Sequence, residues 1–238
     1  MQYFPLEPLF FFALVGALIA LFFLIEIGVL RLAYSRLGLS PGAARLTLIA
    51  TLIGSAINIP LFQFREEKIL GGRIVHYFGM RYVVPKVVDW PGTVVAVNVG
   101  GALIPTVLSL YLLERHHLWG RGLIATAIVA AVCHHYAEPV EGIGIALPIF
   151  VPPLVAALTA LIVSWRYAAP LAYIAGSLGT LIGADLLNLD KVQGLGAPVA
   201  SIGGAGTFDG IFVAGIVAVL IAGLFGGDAP APGAQYAR

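Results

Sequence analysis

The sequence predicts an all-α fold: a polytopic transmembrane bundle of about seven helices with little mass outside the bilayer. Three observations lead there. Of 238 residues, 60% are hydrophobic and only 11% charged, against about 25% charged in a soluble domain. The mean hydropathy is +0.98. Apolar runs recur, each near the roughly 20 residues that a helix needs to cross the hydrocarbon core, and short stretches of Gly, Pro and charge separate them. On composition a water-soluble fold is excluded, and residues 1–226 are expected to form one integral membrane domain. The tail 227–238, GDAPAPGAQYAR, is small, Pro-rich and expected to be flexible.

Taken in order, the apolar runs predict helices over 9–33, 43–63, 92–113, 121–138, 143–165, 168–189 and 208–226. Residues 1–8 contain no Lys or Arg, so the first run is read as a retained helix, not a cleaved leader. Arg31, Arg36 and Arg45 follow it, Arg115 and Arg121 follow the third helix, and Arg166 follows the fifth. Basic connections mark the cytoplasmic side, which puts the N-terminus outside and the tail in the cytoplasm. Residues 64–91 carry five basic residues and fall outside by parity. Their stretches RIVHYF and RYVVP flank Gly79-Met80, the pattern of a short β-hairpin on the outer interface.

The fifth run contains Pro148, Pro152 and Pro153 in its first half. Each interior proline deletes a backbone hydrogen bond that lipid cannot replace, so this stretch is expected to be kinked or partly unwound. Gly176, Gly179 and Gly183 on the sixth helix, and Gly210, Ala214, Ala218 and Ala222 on the seventh, recur at helical spacing. Such stripes let helix backbones approach closely, within the bundle or against each other.

Ionisable and amide side chains within apolar spans are costly, roughly 2.5–3.5 kcal/mol for a charge at the bilayer centre, and each asks for a reason. Asp185 lies late in the sixth helix and Asp209 opens the seventh. Asn58 and Asn98 fall in the second and third, and CHHYAEPVEG, with His134, His135, Glu138 and Glu141, ends the fourth. By the alternation of helices all of these lie on one side of the membrane, the extracytoplasmic one, while Glu26 lies in the other half. A polar cavity would explain the grouping, and so would the ordinary accumulation of polar groups at helix ends. Asn58 precedes Pro60, and Asn98 precedes Gly100 and Gly101, so these amides either satisfy backbone groups freed by helix breakers or line that cavity. His134, Glu138 and Glu141 have helix-face spacing, but Pro139 interrupts it and the order is not that of a zinc signature. No metal and no cofactor is assigned. His116 and His117, beside Glu114 and Arg115, read as a solvated turn. Cys133, the sole cysteine, excludes an intrachain disulfide. The formal charge of +1 leaves no basic excess for nucleic acid.

The runs GTLIGADLLNL and SIGGAGTFDGIF, with INIPLF and VNVGGALIP upstream, resemble an uncharacterised family of prokaryotic multipass membrane proteins over nearly the whole chain. That resemblance implies a fold and a membrane address and no activity. A second likeness is to intramembrane aspartyl proteases of the presenilin type, which carry one aspartate on each of two successive helices, the first preceded by tyrosine and the second in a Gly-x-Gly-Asp motif, with a Pro-Ala-Leu segment later. Here Gly204-Ala205-Gly206 precedes Asp209, but Thr207 and Phe208 intervene, Ala184 replaces the tyrosine before the first aspartate, and Pro152-Pro153-Leu154 comes before both aspartates instead of after.

Two activities follow as expectations. In the first, Asp185 and Asp209 form a carboxylate dyad that shares one proton and activates water against a membrane peptide. In the second, the same acids, with Asn58, Asn98 and the opened fifth helix, bind a proton, cation or small solute for transport; His134, Glu138, Gly204 and Gly206 complete the candidate binding residues. A structural subunit is the third. The lipid bilayer is the expected partner in each case.

Overall fold

The structure, a computed structural model, describes residues 36–64, 67–77, 80–90, 92–140, 144–193, 195, 197–204 and 210–226, with Gly16 and Ile19. Of the predicted first helix, 9–33, only Gly16 and Ile19 are described, both helical; Glu26 and the predicted flexible tail lie outside the described residues, as do Glu141, Gly206 and Asp209.

The chain is mostly helical, and among the described residues it carries six α-helices: α1 (Pro41–Ser55), α2 (Ile104–Arg115), α3 (Trp119–Tyr136), α4 (Val151–Val163), α5 (Ala168–Thr180) and α6 (Gly210–Phe225). The all-α expectation is corrected by strands that form, among the described residues, three small sheets: β1 (Asn58–Gln63), β2 (Glu67–Tyr77), β3 (Met80–Trp90), β4 (Val94–Asn98), β5 (Glu138–Val140), β6 (Gly144–Ala146) and β7 (Val199–Ile202). Three predicted helices lose an end to strand. The second stops at Ser55 and continues as β1. The third begins as β4, and Val99–Leu103 forms a π-helical turn before α2. The fifth opens as β6, and its helix starts only at Val151, which leaves Pro152 and Pro153 in the first turn. There the backbone N–H groups have no intrahelical partner, so the prolines forfeit nothing.

The hairpin expected within 64–91 is present and longer than anticipated. Strands β2 and β3 pair antiparallel over eleven residues each, with Glu67 opposite Trp90 and Tyr77 opposite Met80. Pro85, opposite Gly72, is tolerated because each strand of a two-stranded ribbon keeps one unpaired edge. The second sheet has the order β1-β4-β7, with β1 antiparallel and β7 parallel to β4. The third is the two-stranded β5-β6.

Helix α5 is the centre of the bundle. All its residues but Leu178 are buried, and α2, α3, α4 and α6 pack around it. Small residues set the spacing. A Cβ on Gly176 would stand 3.2 Å from the Ala214 carbonyl oxygen of α6, and one on Gly179 would stand 2.6 Å from Val129 Cβ of α3. Ala214, Ala218 and Ala222 of α6 are all buried, as the small-residue stripes anticipate. Large apolar side chains lie on the outside instead: Leu46, Ile49 and Ile53 of α1, Leu123, Ile124 and Ile128 of α3, and Leu154, Leu158 and Ile162 of α4, the last 85% exposed. One helical stretch, Trp165–Val192, has the length and apolarity of a membrane span, with a mean hydropathy of 1.4.

Successive helices run back and forth between two ends. At one end the start of α1, the α2–α3 turn, the α4–α5 turn and the end of α6 converge. A Cβ on Gly38 would lie 3.6 Å from Arg115 Nε, the His116 and Tyr167 rings stand 5.8 Å apart, and a Cβ on Gly226 would meet Ala168 Cβ at 2.7 Å. Arg36, Arg115 and Arg166 belong to this end. The α2–α3 turn corrects the reading of His116 as solvated, since its residue is only 8% exposed. Burial lowers the His116 imidazole from its ordinary pKa, the charges of Arg115 and His117 act in the same direction, and the Leu37 carbonyl opposes them. His117 is exposed, with φ 51°.

Candidate functional site

The other end of the bundle holds the three-stranded sheet and the polar residues that the sequence singles out. Asn58 opens β1 and Asn98 closes β4, directly opposite one another in register. Asn98 is fully buried, at 0% exposure. Its Nδ2 donates to the Ser55 carbonyl at 2.8 Å and to Asn58 Oδ1 at 3.1 Å, and its Oδ1 accepts from the Gly101 N–H at 2.8 Å. One amide thus satisfies the end of α1 and the start of the π-turn. Of the two readings open for Asn98, the structure supports the satisfaction of freed backbone groups. Asn58 is exposed and also accepts the Ser201 hydroxyl at 2.7 Å, which ties β1 across β4 to β7.

Asp185 comes from a different irregularity. After Thr180 the α5 ladder widens into a π-turn, Leu181–Asp185, and then tightens into a 3₁₀ stretch, Leu186–Val192. The change of winding coincides with close packing at Gly183, where a Cβ would lie 2.3 Å from the Ala130 carbonyl oxygen of α3. It also frees carbonyls, and Asn188, at 0% exposure, answers them. Its Nδ2 donates to the Gly183 carbonyl at 2.8 Å and the Ala184 carbonyl at 3.0 Å, while its Oδ1 accepts Lys191 Nζ at 2.7 Å. π-turns inside helices recur at functional sites. Here the turn ends on the half-buried Asp185 carboxylate, whose Oδ2 accepts the Gly203 N–H at 2.7 Å. Gly203, just past β7, has φ +96°, and a Cβ there would stand 2.6 Å from the Ala102 nitrogen. No other residue satisfies both the left-handed backbone and that contact.

Asp185 borders two adjoining clefts. One, of about 540 Å³, runs between β6 (Gly144, Ile145), the 3₁₀ stretch (Leu189, Val192) and β7 with Gly204. The other, of about 740 Å³, lies between Thr180, Ala184, Ile211, the non-helical approach to α4 at Leu147 and Ile149, and Pro152 in the first turn of α4. Ile145, Asp185 and Gly204 are common to both. The non-helical approach to α4 is therefore a wall of the site.

Of the expected site residues, Asp185 and Gly204 line this cleft. Asn58 and Asn98 are joined to it through Ser201 and do not line it. His134, in the last turn of α3, is half-buried, and its Nδ1 takes no hydrogen bond. Glu138 is exposed on β5, beyond the helix end at Tyr136, so the shared helical face expected for these two does not form. Gly206 and Asp209 lie outside the described residues. Among the described residues no three His, Cys, Asp or Glu side chains gather to hold a metal ion. Sequence reasoning passed over Asn188 and Ser201. Asn188 had a usable signal, an amide in the apolar run LLNL that must find partners if buried. Ser201 had none, because its role depends on the β1-β4-β7 order.

No curated protein and no solved structure matches the chain, and the likeness to presenilin-type proteases finds no support there. A family model does match, over residues 52–221, more than half of the chain and a range that contains β1, Asn98, Asp185 and β7. The chain belongs to the family described as protein of unknown function (DUF1614).

Proposed function

We propose that the chain is a multipass membrane protein that binds a cation, a proton or a small polar solute in the Asp185 cleft and passes it across the bilayer. The membrane reading is supported by the inverted distribution of side-chain size. Gly and Ala fill the helix contacts while Leu and Ile face outward on α1, α3 and α4, an arrangement suited to lipid and unsuited to water. Helix α3, with 18 residues, rises about 27 Å, close to the hydrocarbon thickness of about 30 Å. The arginine-bearing end would face the cytoplasm and the sheet end the exterior, with seven spans once the first apolar run is counted.

The observation that carries the transport reading is the placement of Asp185 where the winding of α5 changes, across a cleft from the non-helical approach to α4. Irregular backbone at membrane depth is tolerated where it lines a cavity, and discontinuous helices of this kind hold ions and solutes in transporters. Hydrolysis by Asp185 together with Asp209 is the second reading, favoured by the glycine-rich approach Gly203-Gly204 beside the carboxylate. The test is purified protein in sealed liposomes, with imposed proton and alkali-cation gradients and a panel of labelled small solutes. The transport reading expects flux that Asp185→Asn reduces to the protein-free background. Cleavage of a membrane peptide that requires Asp185, without flux, would replace transport with hydrolysis.

A further inference from the structure

The lining of the Asp185 cleft by β7 has an unusual order. Val199, Ala200, Ser201 and Ile202 are consecutive, and all four border the same cleft. Side chains along a strand alternate between its two faces, so a sheet face offers a cavity every second residue. Four in a row border one cavity only along the strand's edge, where backbone N–H and C=O groups are presented. Strand β7 is the outer member of the order β1-β4-β7, and among the described residues its second edge pairs with nothing. The Ser201 side chain fits this geometry, since its hydroxyl turns away to Asn58 Oδ1 at 2.7 Å. On the facing wall, Gly144 has φ +118° and, among the described residues, no atom within 4 Å of the place a Cβ would occupy. Asp185 lies at the end of the strand, held by the Gly203 N–H.

An unpaired strand edge inside a pocket supplies backbone donors and acceptors at the repeat of another strand, and an extended backbone fulfils them. We infer that the cleft takes an extended peptide, added as a fourth strand to the free edge of β7, with its free amino group toward the Asp185 carboxylate. The occupant is chosen by two complementarities: the alternating polar edge matches a peptide backbone, and the carboxylate matches an ammonium group. A bare cation would use the carboxylate and leave the edge unmatched. This inference rests on the binding site proposed above and names its ligand class.

The probe is a hexapeptide of alternating Val and Thr with a free N-terminus and a fluorophore at its C-terminal end, titrated by anisotropy against the full chain in detergent. Its five peptide-bond amides are then N-methylated one at a time. Only alternate amides of an added strand face its partner, and loss of one such hydrogen bond weakens binding by about tenfold, while the intervening positions stay within about twofold. The expected result is saturable binding with that alternation, and weaker binding of the N-acetylated peptide and of wild-type peptide to Asp185→Asn. A flat scan, a uniform loss at every amide or the absence of saturable binding overturns strand addition. Cation flux that requires Asp185, found alongside a flat scan, would refute the peptide alone and leave the transport site standing. An alternating scan without flux would refute transport and leave the peptide site.

Discussion

Replacing Asn188 with Asp keeps the shape of the side chain and inverts one of its atoms. In the native chain Nδ2 donates to the Gly183 and Ala184 carbonyls at 2.8 and 3.0 Å. In Asn188→Asp an oxygen occupies that place, facing two carbonyl oxygens at the same distances, in a position with 0% exposure. Each buried carbonyl left without its donor costs about 1–3 kcal/mol, which gives about 2–6 kcal/mol for the pair. Lys191, 2.7 Å from Oδ1 and exposed, returns at most about 1 kcal/mol by pairing with the new charge. The net loss of about 1–6 kcal/mol corresponds, at about 2–4 °C per kcal/mol for a chain of this size, to a melting temperature several degrees lower. Intrinsic fluorescence of the detergent-solubilised protein during heating reads it, and flux through the Asp185 site should fall with it. A variant that melts within about 1 °C of wild type would refute the claim that Asn188 holds the π-turn together.

Other perturbations probe separate parts of the account. Gly183→Ala drives a Cβ to 2.3 Å from the Ala130 carbonyl oxygen, a backbone clash that no side-chain rotation relieves. It should cost about 1–3 kcal/mol or more and shift Asp185, seen as a lower melting temperature with weakened flux. Gly38→Ala meets only ordinary contacts at 3.6–3.7 Å but must adopt φ +75°, so the loss should be near 1 kcal/mol and purely conformational. Gly38→Asn, which tolerates that region better, should recover part of it. His116 supplies a pH signature. Its folded-state pKa is lowered by burial, so as pH falls through about 6.5 the unfolded chain takes up the proton first. Stability should therefore decline below that point until the folded-state value is passed, and His116→Phe should flatten the dependence of melting temperature on pH. An unchanged slope would mean that His116 is solvated after all.

Legibility in the sequence followed the length scale of the interactions. Helix contacts carried by Gly176, Ala214, Ala218 and Ala222 could be read because helical periodicity is local. The late start of the fifth helix was equally legible, since proline is tolerated in a first turn and disfavoured in a helix interior. Alternation of the helices placed Asn58, Asn98 and Asp185 at one end, where the structure also puts them. The sheet β1-β4-β7 was missed because its strands come from segments far apart in sequence, 58–63, 94–98 and 199–202. Each is a short apolar run, which periodicity alone does not separate from helix. The cleft itself was half legible. Asp185 announced it as a carboxylate within an apolar run, whereas the edge of β7 and the bracing by Asn188 depend on long-range pairing and on a change of helical winding that no local signal encodes.

The central claim, a membrane-embedded bundle whose Asp185 cleft opens on the side opposite the arginine-bearing end, is tested most directly by cysteine accessibility in intact cells. Cys133 is buried and is the only cysteine in the chain, so a Cys133→Ala background accepts single cysteines at Val199, exposed in the cleft lining, and at Arg121, in the first turn of α3. A membrane-impermeant maleimide applied from outside should label Val199→Cys at once and Arg121→Cys only after the membrane is opened. Labelling of both positions from the same side, or of Arg121→Cys alone, would contradict the account.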